Sequence, residues 1–152
     1  MICSFYFVIV KNKKDQRGIY LINGQKVTDC VYDSISVHGS LDDGFGCAIV
    51  MKKELFGVVL ENGKEVVPVK FHYIDKTVSG YIVYDKQPDG SLLKGWYSRD
   101  GKSNIPCLFK GIGYTYYNKI DVETPDGLKG MYSFNGKQIV PPIFKSTNKI
   151  GN

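Results

Sequence analysis

Cysteine and histidine side chains are the candidate zinc ligands in this chain. Cys30, His38, Cys47 and His72 would supply thiolate and imidazole ligands, which zinc prefers. Zinc-binding sequences usually show closely spaced pairs such as C-x-x-C, which bring two ligands together locally. No such pair occurs, so we interpret these side chains as structural and expect no metal and no cofactor.

Residues that could catalyse a reaction occur without the partners that catalysis needs. The sequence has no G-x-S-x-G elbow, and neither histidine has the context of a catalytic triad. Gly111-Ile112-Gly113 lacks the third glycine of a dinucleotide loop, so we interpret it as a bend between repeats. Asp42 and Asp43 are adjacent and would point to opposite faces of a strand, which favours a turn over a carboxylate pair. We therefore expect that the chain is not an enzyme.

Lysines form the first of two candidate binding surfaces. Lys64, Lys102 and Lys137 each follow a glycine at a predicted hairpin turn, in a chain with a net charge of +5. If the repeats stack, these side chains would align in a row that could attract an acidic protein or a phosphate backbone. The alternative is that the lysines protect exposed hairpins from edge-to-edge aggregation.

Aromatic residues form the second candidate surface, in the last two predicted repeats. Tyrosine and tryptophan are common in binding sites because they offer a large rigid area with a polar tip. Tyr97 and Tyr132 recur at one repeat position, which marks them as packing residues. The predicted partner-binding residues are therefore Tyr114, Tyr116, Tyr117, Trp96, Lys64, Lys102 and Lys137.

A repeated glycine spacing indicates how these residues are positioned. Two glycines stand six positions apart four times, and an aromatic residue follows fourteen positions after the first glycine. The pairs are Gly18 and Gly24, Gly57 and Gly63, Gly95 and Gly101, and Gly130 and Gly136, with the aromatics Tyr32, Phe71, Phe109 and Phe144. Such a period is typical of repeat proteins, in which each unit buries an apolar face against its neighbour.

Each repeat is predicted to contain three short strands. The second glycine of each pair follows Asn or Asp, a combination that favours a type I′ hairpin turn between the second and third strands. The third strands are predicted to stop at Pro68, Pro106 and Pro141 in three repeats, because proline lacks the donor that a continuing ladder needs. Spacing typical of a long amphipathic helix is absent from the sequence.

These patterns predict an all-β fold of four consecutive hairpin or meander repeats stacked into one repeat domain. We expect a single domain over residues 1–152, with repeats at about 1–41, 42–78, 79–115 and 116–152. The array could be open, or closed like a barrel or propeller. The first apolar run, residues 2–10, is too short to span a bilayer, and we interpret it as a strand of a cytoplasmic protein.

The repeat resembles the WG-repeat family of bacterial β-rich repeats. The matching stretches run from Gly57 to Pro68 and from Gly130 to Pro142, each with glycine, apolar residues, Gly-Lys, aliphatics and proline in order. The family's tryptophan would precede the leading glycine, where this chain has Arg17, Phe56, Lys94 and Lys129. The resemblance implies a binding or scaffold role and carries over no catalytic residues.

The sequence therefore favours a non-catalytic protein-binding module, such as a scaffold or an inhibitor or immunity-type protein, that uses the aromatic face of the last two repeats. A nucleic-acid or nucleotide binder is the alternative, with lysines on phosphates and aromatics stacked on bases. We expect a protein partner and no membrane association. Oligomeric state and the identity of the partner are left open.

Overall fold

The computed structural model describes residues 7–39, 46–115 and 118–147, and these form an all-β fold without a helix. Each of four consecutive antiparallel sheets is a meander whose strands pair in chain order. Sheet 1 contains β1 (Phe7–Lys11), β2 (Arg17–Leu21) and β3 (Lys26–Tyr32). Sheet 2 contains β4 (Ser34–Gly39), β5 (Gly46–Lys52), β6 (Leu55–Leu60) and β7 (Glu65–Phe71). The all-β repeat prediction is confirmed.

The last two sheets repeat the arrangement of sheet 2. Sheet 3 contains β8 (Tyr73–Thr77), β9 (Gly80–Lys86), β10 (Leu92–Ser98) and β11 (Asn104–Phe109). Sheet 4 contains β12 (Gly111–Thr115), β13 (Lys119–Glu123), β14 (Lys129–Ser133) and β15 (Gln138–Phe144). The strand order of each sheet is linear, so none of the four closes into a barrel within the described ranges.

The chain divides into two compact units, Met1–Ile74 and Asp75–Asn152, and the division falls within β8. In the first unit, Ile19 and Tyr32 of sheet 1 form a core with Ala48, Val50 and Val59 of sheet 2. The second unit has an equivalent core from sheets 3 and 4, formed by Trp96, Ile105, Phe109, Ile120 and Val122. Each unit is thus a pair of sheets packed face to face.

The prediction of three strands in each repeat is wrong for sheets 2, 3 and 4. Each of these sheets begins with one more strand, β4, β8 or β12, in the stretch interpreted as a connection. Ile35, Ile74 and Ile112 lie in these strands and turn toward apolar neighbours, which stabilises the extended chain. Gly111-Ile112-Gly113 is accordingly part of a strand and not a bend.

The predicted stop at proline is also wrong, because β7, β11 and β15 continue through it. In β7, Pro68, Val69 and Lys70 together stand opposite Gly57, so the strand bulges there. A bulged residue needs no ladder partner, and β7 is an edge strand, so the missing N–H of proline costs little. The same bulge lies opposite Gly95 and Gly130.

The bulge explains why each repeat has a leading glycine. A methyl group added to Gly57 would lie 2.7 Å from the Val67 carbonyl oxygen, and one added to Gly95 would lie 2.6 Å from that of Ile105. Contacts that short require the backbone to move. The glycine therefore lets the bulged strand approach closely.

The Asn-Gly and Asp-Gly hairpins differ from the predicted type I′ geometry. Gly24, Gly63, Gly101 and Gly136 all have positive φ, from 72° to 89°, whereas the Asn or Asp before each of them does not. In the first hairpin the Gly24 N–H donates to the Leu21 carbonyl, which fits a type I turn followed by a left-handed glycine. The Asn23 side chain accepts a hydrogen bond from the Gln25 N–H at 2.9 Å. Asn acts here through its side-chain oxygen.

A type I′ pattern occurs instead between β5 and β6, at a position without glycine. Lys53 and Glu54 have φ values of 51° and 64° in a two-residue turn. That turn needs positive φ at both central positions, which ordinary residues adopt at a cost. The sheet pairing around the turn, from Lys52 to Leu55, holds both residues there.

Candidate docking surface

Strand pairing gives every sheet two distinct faces. Each leading glycine pairs with a valine of the preceding strand: Val10 with Gly18, Val50 with Gly57, Val83 with Gly95 and Val122 with Gly130. We call the side of the sheet that carries these valines the start face. The opposite side, which carries the residue after the glycine and the aromatic at the end of the last strand, is the end face.

Within each unit, the end face of one sheet packs on the start face of the next. Phe109 on the end face of sheet 3 meets Tyr132 on the start face of sheet 4, with ring centroids 5.9 Å apart in an edge-on arrangement. Trp96 stacks on Phe134 at the same centroid distance. In the first unit, Tyr32 and Ile19 meet Ala48, Val50 and Val59 in the equivalent way.

The hairpin turns of neighbouring sheets also meet at equivalent positions. A methyl group added to Gly63 would lie 2.9 Å from the Val27 carbonyl oxygen of sheet 1. One added to Gly136 would lie 2.9 Å from the Asn104 carbonyl oxygen of sheet 3. Val27 and Asn104 both stand three residues after the turn glycine of their own sheet, so one interface geometry is used in both units.

The end face of sheet 4 is the exception to this burial. The aromatic at the end of the last strand is 8% exposed in Tyr32, 5% in Phe71 and 3% in Phe109, but 47% in Phe144. Ile139 and Ile143 of the same strand are exposed as well. Phe144 is therefore exposed at a position that earlier repeats bury, and exposed apolar surfaces are typical of docking sites.

A groove of about 430 Å³ lies on sheet 4 beside this apolar surface. Gly111, Gly113 and Lys129 line it, together with Ser146 and Thr147 from the segment after β15. Within the described part of the chain, no atom lies within 4 Å of the position where Gly113 would carry a methyl group. The groove therefore has room for an inserted side chain.

Charged side chains frame the groove. Glu123 pairs with Lys110, with Nζ and Oε1 2.9 Å apart, and with Lys129, with Nζ and Oε2 3.4 Å apart. The hydrogen bonds from the two ammonium groups lower the pKa of the Glu123 carboxyl below its ordinary value. The end face of sheet 4 thus combines apolar area with a polar rim, as protein interfaces do.

The aromatic residues predicted to bind a partner lie in different parts of the structure. Trp96 is fully buried in the core between sheets 3 and 4, so its inclusion in the binding surface is corrected: it packs on Phe134 and offers no exposed area. The tyrosine at position 114 stands opposite Ile120 in the β12–β13 pairing. Tyr116 and Tyr117 lie outside the described residues.

The predicted lysines occupy exposed positions at equivalent turns. Lys64 follows the β6–β7 turn, Lys102 the β10–β11 turn and Lys137 the β14–β15 turn. Their backbone N–H groups donate to the Asn or Asp side chain of the turn, at 2.9 to 3.1 Å. In the second unit the contact of Gly136 with Asn104 makes the hairpins of Lys102 and Lys137 neighbours.

The cysteines of the described ranges differ in burial. Cys47 is buried, Cys30 and Cys107 are half-buried, and all three thiols are free of disulfides. Within residues 7–39, 46–115 and 118–147, no three His, Cys, Asp or Glu side chains are grouped to hold a metal ion. The same ranges contain no helix that is long and apolar enough to cross a bilayer.

Sequence reasoning missed Phe144 as a surface residue of the end face. The available signal was the aromatic fourteen positions after each leading glycine, which identifies Phe144 as the counterpart of Phe109. That spacing does not tell which of the four aromatics lacks a covering sheet. Neither the protein-family models nor the curated proteins compared with this chain gave a match.

Proposed function

We propose that this chain is a non-catalytic protein-binding module whose partner docks on the end face of sheet 4. The observation that supports this most directly is the exposure of Phe144 at a position where the other repeats bury an aromatic. An exposed apolar surface of this kind gains free energy when a partner removes it from water. We also propose that the repeats are divergent members of the WG-repeat family.

The composition of the end face suits a folded protein partner. Phe144 provides an exposed apolar centre, and the ion pairs of Glu123 with Lys110 and Lys129 stand beside it. Aromatic side chains are common at interface centres, with charged groups at the rim. The adjacent groove would admit a projecting side chain of the partner. The tyrosines at positions 116 and 117 are proposed to extend this surface, whereas position 114 pairs with Ile120 of the start face.

Site-specific photo-cross-linking tests the proposal. A benzophenone amino acid replaces Phe144 in one variant and Val78, an exposed apolar residue in the β8–β9 turn, in the control. In an extract of the native host, we expect a discrete protein adduct from position 144 and none from position 78. Identical adduct patterns from both positions would refute the docking face.

A double alanine variant tests the proposed tyrosine extension separately. Tyr116→Ala with Tyr117→Ala should reduce the adduct from position 144 while leaving the thermal unfolding curve nearly unchanged. If the adduct forms at the wild-type level, the two tyrosines do not belong to the surface.

Nucleic-acid binding is the second candidate, favoured by the exposed Lys102 and Lys137 on neighbouring hairpins. Phosphate contacts make affinity fall steeply with salt. Titration with single-stranded nucleic acid at low salt should then show binding that Lys102→Glu with Lys137→Glu weakens. Absence of binding at low salt would remove this candidate.

A further inference from the structure

Two exposed surfaces of the chain have the features of the two halves of one interface. On the end face of sheet 4, Phe144 is 47% exposed, and the start face of sheet 1 also carries an exposed apolar side chain, that of Val8. In sheet 1, Val8 stands two residues before Val10, the valine that pairs with the leading glycine. The residues at the same position in sheets 2, 3 and 4 are all fully buried: Ala48, Tyr81 and Ile120. Val8 is 41% exposed.

The side chains of the two uncovered faces match the pairs that hold sheets 3 and 4 together. Phe109 meets Tyr132, and the residues at the same repeat positions on the uncovered faces are Phe144 and Tyr20. Trp96 meets Phe134, and their counterparts are Met131 and Ile22. Ile22 is 72% exposed. The first pair would bury Phe144, which is 47% exposed, and the second would bury Ile22, whereas Met131 is already buried.

The backbone contact between hairpins has a counterpart too. Gly136 lies against Asn104, and the residues at the corresponding positions are Gly24 and Ile139. No described residue lies within 4 Å of the position where Gly24 would carry a methyl group, and Ile139 is exposed. The turn of sheet 1 can therefore contact a backbone carbonyl oxygen, as the turns of sheets 2 and 4 do.

We propose that the partner on the end face of sheet 4 is a second copy of this chain, bound through the start face of its sheet 1. The proposal rests on the proposed function, because it names the occupant of the same docking face. The proposed contact between copies has the same arrangement, end face on start face, as the packing between sheets 1 and 2 and between sheets 3 and 4. Phe144 of one copy would pack on Tyr20 of the second copy.

Such a contact is heterologous, because the two copies contribute different surfaces. Each bound copy still has one uncovered face, so association continues into rings or filaments. A symmetric dimer would instead use one surface twice and stop at two copies. This difference makes the proposal testable with complementary variants.

Sedimentation velocity over a wide range of concentrations is the test. The wild-type chain should form species larger than a dimer as its concentration rises. The variant Phe144→Asp blocks only the end face of sheet 4, and Val8→Asp blocks only the start face of sheet 1. Either change should weaken self-association by roughly 30-fold or more, because loss of an interface hot spot has an effect of that size. An equimolar mixture of the two variants should form a discrete dimer, since each chain retains the face that the other lacks.

The control variant Val78→Asp carries the same charge change on an exposed apolar residue outside both faces and should associate like the wild type. Circular dichroism and thermal unfolding check that every variant folds, and Phe144→Ser replaces Phe144→Asp if that chain does not. A wild-type chain that stays monomeric at all concentrations overturns the proposal, as does Val8→Asp associating normally. If the adduct from position 144 then still forms with another protein, the docking function stands and only the second copy is excluded.

Discussion

The turn glycine Gly136 lies against the backbone of Asn104, in the neighbouring sheet of the second unit. A methyl group at Gly136 would approach the Asn104 carbonyl oxygen to 2.9 Å, and Gly63 stands in the same relation to Val27 in the first unit. Gly136 is thus constrained twice, by its φ of 79° and by the adjoining sheet. Gly24 has a similar φ of 89° and no such neighbour.

This difference predicts unequal effects of alanine at equivalent turns. Gly24→Ala should lower the free energy of unfolding by about 1–2 kcal/mol, the cost of a left-handed side chain. Gly136→Ala should lower it by a further 1–3 kcal/mol or so, because the methyl group also collides with the Asn104 carbonyl. Urea unfolding measures both. Equal losses would show that the hairpin of sheet 4 is not packed on sheet 3.

The leading glycines predict a second contrast, within sheet 4. Gly130→Ala should destabilise the chain by about 1–3 kcal/mol, because the added methyl would lie 2.7 Å from the Val140 carbonyl oxygen in the bulged strand. Gly113→Ala is the matched control, with open space around it, and should stabilise the strand by about 0.5 kcal/mol. Thermal unfolding of both variants tests the bulge, which is refuted if Gly130→Ala is neutral.

The turn between β5 and β6 predicts a stabilising change. Replacing Lys53 and Glu54 by Asn and Gly should raise the free energy of unfolding by about 1 kcal/mol, because Asn-Gly adopts a type I′ turn with less strain. Glu54→Ala keeps a side chain at positive φ and serves as the control, with little expected effect. Loss of stability in the Asn-Gly variant would contradict the two positive φ values.

The Asp-Gly turn of sheet 3 predicts a pH dependence that the Asn-Gly turns lack. Hydrogen bonds from the Lys102 N–H and the Ser98 hydroxyl lower the pKa of Asp100 below its ordinary value of 3.8. A lowered folded-state pKa stabilises the fold above 3.8, and this contribution is lost as pH falls through the folded-state pKa. Asp100→Asn keeps the acceptor oxygen and should leave neutral stability almost unchanged while reducing the loss of stability in acid.

Urea unfolding of wild type and Asp100→Asn, near neutral pH and below pH 3.8, measures this effect. The difference between the two chains should depend on pH, with the variant relatively more stable in acid. The prediction fails if the two curves remain parallel down to the acid limit.

Much of the fold could be predicted because the same sequence pattern occurs in all four repeats. The Asn-Gly and Asp-Gly pairs located the hairpins correctly, since only glycine accepts the left-handed position cheaply. The turn type was wrong because the asparagine acts through its side-chain oxygen, which the dipeptide alone does not reveal. The extra strands were missed because Ile35, Ile74 and Ile112 sit in short segments whose strand pairing is set by neighbouring strands.

The candidate surface was harder to predict because exposure depends on which sheet covers which face. Phe109 and Phe144 share a repeat position, yet the ring of Tyr132 lies 5.9 Å from that of Phe109, whereas Phe144 is 47% exposed. Composition cannot separate such pairs, since burial is a property of the neighbouring sheet.

A double-mutant cycle between Phe109 and Tyr132 tests most directly the claim that consecutive sheets pack end face to start face. Each residue is changed to Leu, alone and together, and Phe144→Leu with Tyr132→Leu forms the control cycle. We expect a coupling energy of about 0.5–1.5 kcal/mol for the first pair, as for other aromatic contacts, and less than about 0.5 kcal/mol for the control. Additive effects at Phe109 and Tyr132 would contradict the packing on which the docking face depends.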